Sequence, residues 1–110
     1  MSVRILIVDD DPVQRRLLQA AVTRFGYEAV LAEDGRAAIE IMEREEPFGA
    51  IILDLMMPGL DGLGVLRTMA ERGIERPVIV QTAQGGIESV VGAMRAGAFD
   101  FVVKPASPER

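Results

Sequence analysis

The sequence predicts an α/β fold in which helices cover both faces of a parallel β-sheet. Short aliphatic segments alternate along the chain with segments whose apolar residues recur at helical spacing. The connections between these segments are short, as is typical of strands joined by crossover helices. The aliphatic segments also lack apolar–polar alternation, which indicates strands that are buried on both faces.

The first half of the chain predicts three strands and two helices. Residues 3–8 form the first strand, and Asp11 and Pro12 suit the N-cap and first position of the helix that follows. Gly26 suits the left-handed conformation that ends a helix. The other assignments are an apolar stripe at Leu17, Leu18, Ala21, Val22 and Phe25, a strand at 28–32, a turn at Asp34-Gly35, a helix lined by Ala38, Ile41 and Met42 that ends near Pro47, and a strand at 50–53 that ends at Asp54.

The second half predicts two more strands and two more helices. Residues 58–62 form a loop because they are rich in proline and glycine. Ile87, Val90, Val91 and Met94 have the i, i+3, i+4, i+7 spacing of a helix face. The other assignments are a helix marked by Leu63, Leu66 and Ala70 and closed by Gly73, a strand at 78–80 that runs into Gln81 and Thr82, a turn at 84–86, a helix end at Gly97 and a strand at 101–103.

The last residues have the pattern of one more helix start. Ser107, Pro108 and Glu109 suit an N-cap, a first helical position and an acid in the first turn. We therefore expect residues 1–110 to be one domain that lacks most of its last helix and is an N-terminal fragment of a longer protein. Without that helix, apolar surface on neighbouring elements should be exposed.

Composition excludes several classes of function. There is no cysteine and no histidine, so thiol chemistry and the usual general base are absent. The net charge of -5 argues against direct contact with nucleic acid. No apolar run approaches the roughly 20 residues that span a bilayer, and no signal peptide is recognisable. We expect a soluble cytoplasmic domain that does not contact a membrane.

Polar residues collect where the predicted strands end. Parallel strands bring their carboxyl ends to one edge of the sheet, where ligands bind in such folds. Elsewhere the strands are almost purely aliphatic. The residues expected at this edge are Asp9 and Asp10 after the first strand, Asp54 after the third, Thr82 at the end of the fourth and Lys104 after the fifth.

Three carboxylates at one edge repel one another unless a cation lies between them. Oxygen ligands of this kind suit Mg²⁺, and a backbone carbonyl just after Asp54 could add another. A cation, the Lys104 ammonium and the Thr82 hydroxyl together describe a cradle for a phosphoryl group. Because aspartate carboxylates can accept phosphoryl groups, Asp54 is a candidate acceptor.

These features together resemble the receiver domain of two-component response regulators. The resemblance rests on four stretches at the predicted strand ends and covers essentially the whole chain: ILIVDDD, AIILDLMMPGLDG, VIVQTA and FDFVVKP. It implies a flavodoxin-like, doubly wound sheet of five parallel strands in the order 2-1-3-4-5. It also implies a signalling switch rather than an enzyme, with only self-phosphorylation and self-dephosphorylation chemistry.

The resemblance assigns roles to particular residues. It implies that Asp54 accepts the phosphoryl group from a partner histidine kinase. The ligands of Mg²⁺ (or Mn²⁺) would be Asp9, Asp10, Asp54 and the backbone carbonyl of Met56. The groups that contact the phosphoryl oxygens would be Thr82, Lys104 and the backbone N–H of Ala83.

The resemblance also implies how the signal leaves the site. Thr82 would move toward the phosphate and Phe101 would turn inward, and the Lys104-Pro105 bond is typically cis in this family. Members often pair through the fourth helix, fifth strand and last helix when phosphorylated. Residues 82–110 resemble receivers of nitrogen-regulation-type transcription activators, which also carry an AAA+ ATPase and a helix-turn-helix DNA-binding domain. The output would then be transcription. The alternatives are another kind of DNA-binding regulator and a single-domain receiver.

Three alternatives remain beside this hypothesis. A haloacid-dehalogenase-type phosphatase needs a second acid two residues after its nucleophile, where this chain has Met56. A flavin carrier needs a phosphate-binding loop after the first strand, where this chain has three aspartates. A degenerate receiver would bind partners without phosphorylation, although all the expected site residues are present.

Some residues of these motifs need only a structural explanation. Asp11 fits a helix cap, and Asp61 fits the opening of a turn. Met56 and Gln84 occupy positions that tune phosphate lifetime in the family, and neither is acidic. We therefore expect slow self-hydrolysis of the aspartyl phosphate.

Overall fold

The computed structural model describes residues 3–45, 48–82 and 87–103, except for the side chains of residues 87, 89 and 103. Strands and helices alternate along these residues. The elements are β1 (Arg4–Val8), α1 (Pro12–Arg24), β2 (Glu28–Ala32), α2 (Gly35–Arg44), β3 (Ala50–Asp54), α3 (Gly62–Glu71), β4 (Val78–Thr82), α4 (Ile87–Arg95) and β5 (Asp100–Val103). The predicted turn at 84–86 and the predicted start of a last helix lie outside the described residues.

The five strands form one parallel sheet in the order β2-β1-β3-β4-β5. This is the predicted fold class and strand order. The central strand is β3, with β1 on one side and β4 on the other. Strand order reverses between β1 and β3, and ligands of open α/β sheets bind at the carboxyl ends of the strands near such a point.

The two faces of the sheet carry apolar cores of unequal size. The larger core packs α2, α3 and α4 against the side chains of Leu6, Val8, Leu53 and Val80, among others. The smaller core lies under α1, where Val22 packs with Ile5 and Ile7. A shallow, wholly apolar cavity of about 220 Å³ lies beside α1 on this face, between Leu18 and Ile79.

Helix caps explain where three helices begin. The side chains of Asp11, Asp34 and Asp61 accept hydrogen bonds from backbone N–H groups of the first turns of α1, α2 and α3. The chain bends at Asp34 between β2 and α2, as the predicted turn at Asp34-Gly35 requires, and Asp34 also caps α2, whose first residue is Gly35. Asp61 likewise does more than open a turn, since it caps α3.

Two predicted apolar stripes differ from the packing that the structure shows. On α1, Leu17 and Phe25 are exposed, because only the flank that carries Leu18 and Val22 rests on the sheet. On α4, Val91 and Met94 are exposed and Val90 and Ala93 are buried. Both helices are present as predicted, but in each the face that packs against the rest of the protein is offset around the helix axis from the predicted apolar stripe.

Candidate functional site

Two neighbouring strands bring three carboxylates together at the carboxyl edge of the sheet. Val8 of β1 pairs with Leu53 of β3, and Asp9 and Asp54 are the next residues on the two strands. With Asp10, they place carboxylate oxygens that all lie within 4.8 Å of one another. Asp9 and Asp54 are 0% and 2% exposed, whereas Asp10 is open to solvent. The sequence prediction that these three residues converge is confirmed by this geometry.

Backbone hydrogen bonds hold the carboxylates in place. Asp9 Oδ1 accepts from the N–H of Asp11 at 2.9 Å, and Asp54 Oδ1 accepts from the N–H of Met56 at 3.1 Å. The Arg15 guanidinium donates to the Asp9 carbonyl at 2.8 Å. Sequence reasoning did not single out Arg15, because nothing in a helix of mixed polarity indicates which arginine reaches back to the preceding loop.

The cluster fits a small divalent cation. Opposite oxygens around an octahedral Mg²⁺ lie about 4 Å apart, close to the spread of the carboxylate oxygens here. Burying two like charges without a counter-charge is costly, so the arrangement favours a cation at this point. The residues that would hold it are Asp9, Asp10 and Asp54. The predicted further ligand, the Met56 carbonyl, stays a prediction.

On the other side of β3, the end of β4 contributes Thr82. Its side chain is 2% exposed, and the residue pairs with Val103 of β5. Phe101 pairs with Val80, so it lies on β5 just below the level of Thr82, and its side chain is 41% exposed. Ala83, Lys104, Pro105 and Gln84, which the sequence assigned to the same site, lie outside the described residues.

Gln81 is a buried polar residue beside this cluster that the sequence analysis left unassigned. It is 8% exposed, and its Cα partner on β3 is Asp54. The signal was visible in the stretch VIVQT, where one amide interrupts an aliphatic strand. A polar residue at the end of a buried strand is easily taken for the start of a loop, however.

Fold and site together fit one class of protein, the receiver-type signalling domains of two-component systems. The chain belongs to the response regulator receiver domain family, whose model matches residues 5–110. The resemblance read from the sequence is thereby confirmed.

Known proteins of this family cover almost the whole chain. The chain is 41% identical over 109 residues to the response regulator MprA of Mycobacterium tuberculosis, which spans 99% of this chain and 47% of that protein. The crystal structure of FixJ-N superposes with a TM-score of 0.89 at 29% identity, covering 99% of this chain and 86% of that one. The receiver domain of NtrX from Brucella abortus gives a TM-score of 0.85 at 34% identity, covering 96% and 89%.

These relatives also differ from this chain in length. The chain spans about half the length of the curated relatives that it matches. A longer NtrX structure from Brucella abortus, 34% identical, aligns with 100% of this chain over 25% of its own length. Within the described part of the chain, no helix combines the length and the apolar character needed to cross a membrane.

Proposed function

We propose that this domain is a phosphorylation switch in which Asp54 accepts a phosphoryl group from a partner histidine kinase with the help of Mg²⁺ (or Mn²⁺). The observation that carries the proposal is the convergence of Asp9, Asp10 and Asp54, whose oxygens lie within 4.8 Å of one another. The cation would neutralise charge on the phosphoryl oxygens as they approach this acidic edge.

The position of Asp54 distinguishes it from the other two carboxylates. It ends the central strand, between β1, which leads to Asp9 and Asp10, and β4, which ends at Thr82. A phosphoryl group on Asp54 would therefore lie between the cation ligands and the threonine hydroxyl.

In the phosphoryl transfer, the protein positions the reacting groups and stabilises the negative charge on the phosphoryl oxygens. One carboxylate oxygen of Asp54 attacks phosphorus, the P–N bond to the kinase histidine breaks, and its electron pair returns to the imidazole ring. The proposed hydrogen-bond donors to the phosphoryl oxygens are the Thr82 hydroxyl, the Lys104 ammonium and the backbone N–H of Ala83. Hydrolysis, in which water takes the phosphoryl group from Asp54 and inorganic phosphate leaves, is the only other reaction in this proposal. The domain is therefore proposed to be a switch rather than an enzyme with a separate substrate.

Phosphorylation would be read out through Thr82 and Phe101. The new phosphoryl oxygens attract the Thr82 hydroxyl, and its displacement opens space for the half-exposed Phe101 ring to turn inward. Such a change shifts a pre-existing equilibrium between two conformations of the α4–β5 face. Pairing of two phosphorylated copies through that face is part of the proposal.

The downstream function is proposed from the relatives. They are named response regulators and are about twice as long as this chain, so we propose that an effector region acts with this domain in the cytoplasm. One NtrX structure from Brucella abortus, about four times as long as this chain, is a complex with ADP, which supports a nucleotide-binding effector. We propose an ATPase of the AAA+ type for that effector. A DNA-binding domain would then give transcription as the output, with no nucleic-acid contact by the receiver itself.

Intact-mass spectrometry after incubation with acetyl phosphate tests the core of the proposal. The wild type should gain one phosphoryl group in Mg²⁺ and none in chelator, and Asp54→Asn should gain none. Asp61→Asn is the matched control, since Asp61 belongs to the same motif but caps a helix. An unmodified wild type that binds Mg²⁺ would contradict the proposal and favour a degenerate receiver.

A further inference from the structure

Four polar or charged side chains are buried in the described part of the chain, and three already have a role in the proposed site. Those three are Asp9, Asp54 and Thr82, and the fourth is Gln81. It lies next to Thr82 in sequence and opposite Asp54 in the sheet. Its burial therefore follows the same pattern as the site residues, although nothing in the proposed reaction yet uses it.

The register fixes where the Gln81 side chain leaves the sheet. Paired residues of neighbouring parallel strands project to the same face, with strands about 4.8 Å apart. Asp54 and Gln81 are such a pair, and the Leu55 N–H donates to the Gln81 carbonyl at 3.0 Å, which holds the two strand ends together. The carboxamide and the acceptor carboxylate thus start from adjacent points on one face.

Folding alone does not explain an amide at this position. The Gln81 Oε1 is buried and has no hydrogen-bond partner among the described residues. An unpaired buried carbonyl costs free energy, and each such group in a folded protein calls for a partner. Two residues earlier on the same face stands Ile79, paired with Ile52, so an aliphatic side chain would suit the surroundings better.

We propose that Gln81 is a positioning residue for Asp54, acting through one bound water molecule. The water donates one hydrogen to Gln81 Oε1 and its other hydrogen to the Asp54 carboxylate, so that it bridges two acceptors. Buried waters commonly satisfy polar groups that lack a protein partner in this way. The inference rests on the proposed role of Asp54 as the phosphoryl acceptor.

The bridge would set the lifetime of the phosphorylated state. In hydrolysis, the oxygen of a second, attacking water bonds to phosphorus, the P–O bond to Asp54 breaks, and the electron pair returns to the carboxylate. The attacking water gives up its proton to the inorganic phosphate that leaves. A hydrogen bond to the carboxylate stabilises the charge that develops there, so the bridging water speeds hydrolysis and shortens the lifetime.

Replacement of the amide by an apolar side chain, of the same length in methionine and one atom shorter in leucine, tests the proposal. In Gln81→Met and Gln81→Leu the aspartyl phosphate should live about threefold to tenfold longer than in the wild type, as expected for the loss of part of one charge-assisted hydrogen bond. The free energy of unfolding in urea should stay the same or rise, because a buried amide whose carbonyl oxygen is bonded only to water is replaced by an apolar side chain. Ile79→Met is the control on the same strand and face, and its phosphate lifetime should equal that of the wild type.

The outcomes separate this inference from the proposed function. A wild type that accepts phosphate with a lifetime unchanged in both Gln81 variants overturns the role of Gln81 alone. So does a loss of stability in both variants with unchanged kinetics, which would make Gln81 a structural residue. A wild type that accepts no phosphate refutes the acceptor role of Asp54 and the inference with it.

Discussion

The backbone N–H of Met56 donates a hydrogen bond of 3.1 Å to Oδ1 of Asp54. This contact ties the loop after β3 back to the last residue of the strand, so the acceptor carboxylate has one oxygen fixed by the main chain. The Met56 side chain itself points away from the core and is 63% exposed. A thioether at this point offers no strong hydrogen bond to an attacking water.

The exposed Met56 side chain leads to a prediction about the lifetime of the phosphorylated state. The wild-type aspartyl phosphate should survive well beyond minutes, and Met56→Asn should shorten its lifetime because a carboxamide can hold water beside phosphorus. Phosphate release measured after removal of acetyl phosphate gives both rates. Met94→Asn, at an exposed methionine on α4, should behave like the wild type. Equal lifetimes for Met56→Asn and wild type would contradict this account.

Much of the site could be predicted from the sequence, because the carboxyl ends of parallel strands lie at one edge of the sheet and the residues that follow them therefore lie close together. Once ILIV and IILD are read as neighbouring parallel strands, Asp9 and Asp54 must end at the same edge. The cap at Asp11 also follows from local chemistry, because Asp11 and Pro12 together mark a helix start. The cap at Asp61 was not predicted, since the proline and glycines around it indicated only a turn.

What could not be predicted depends on contacts between distant elements. The side of α1 that faces solvent is decided by how the helix lies over β1 and β3, and its most apolar stripe does not specify that. Likewise, Val90 and Ala93 of α4 are buried because α3 lies beside them, although Val91 and Met94 are as apolar. The burial of Gln81 depends on the register between β3 and β4, which the sequence of either strand alone leaves open.

Removal of one carboxylate from the cluster should stabilise the protein when no cation is bound. In Asp10→Asn, we expect the free energy of unfolding in chelator to rise by about 0.5–1 kcal/mol, because repulsion with Asp9 and Asp54 is relieved. Asp10 is the suitable position since its side chain is exposed. Stabilisation by Mg²⁺, which follows from preferential binding to the folded state, should shrink in the variant.

Urea unfolding with Mg²⁺ and with chelator measures both effects. Glu40→Gln is the matched control, because it removes one exposed negative charge from α2 outside the cluster. It should leave the response to Mg²⁺ unchanged. A Mg²⁺ response in Asp10→Asn as large as that of the wild type would show that Asp10 is not a ligand.

Asp61 should matter for stability and not for phosphorylation. Its Oδ1 accepts the Gly64 N–H at 2.9 Å as the cap of α3. Asp61→Ala should therefore lower the free energy of unfolding by about 1 kcal/mol. Asp61→Asn keeps the accepting oxygen and should cost only a fraction of that. Phosphorylation by acetyl phosphate should proceed in both variants, and its loss in a folded Asp61→Ala would mean that the cap also positions Asp54.

Two glycines should respond in opposite ways to an added methyl group. At Gly62 a Cβ would lie 2.7 Å from the Asp54 carbonyl oxygen and 2.7 Å from the Leu55 Cα, so the backbone at the end of β3 would have to move. Gly62→Ala should lower the free energy of unfolding by about 1–3 kcal/mol and impair phosphorylation.

At Gly92, inside α4, the nearest atom to a Cβ is a Leu63 methyl at 3.6 Å. Gly92→Ala should gain about 0.5–1 kcal/mol from helix propensity. Urea unfolding of the two variants measures both changes in stability. A change in the same direction at both positions would contradict the difference in space that the structure gives them.

The coupling between Thr82 and Phe101 can be followed with a single reporter. The chain has no tryptophan, so Phe101→Trp introduces one emission signal at a ring that is 41% exposed. Beryllofluoride with Mg²⁺, as a stand-in for the phosphoryl group, should shift the emission to shorter wavelength as the ring turns inward. Adding Thr82→Ala to the reporter should abolish the shift, because the space that the ring enters depends on movement of the threonine. Intact mass after acetyl phosphate should still show modification of Asp54 in the double variant, which separates the switch from the chemistry.

If the shift persists without the Thr82 hydroxyl, Phe101 responds to the phosphoryl group by another route. If no shift occurs in the single variant that binds beryllofluoride, Phe101 is a fixed aromatic residue of the sheet edge.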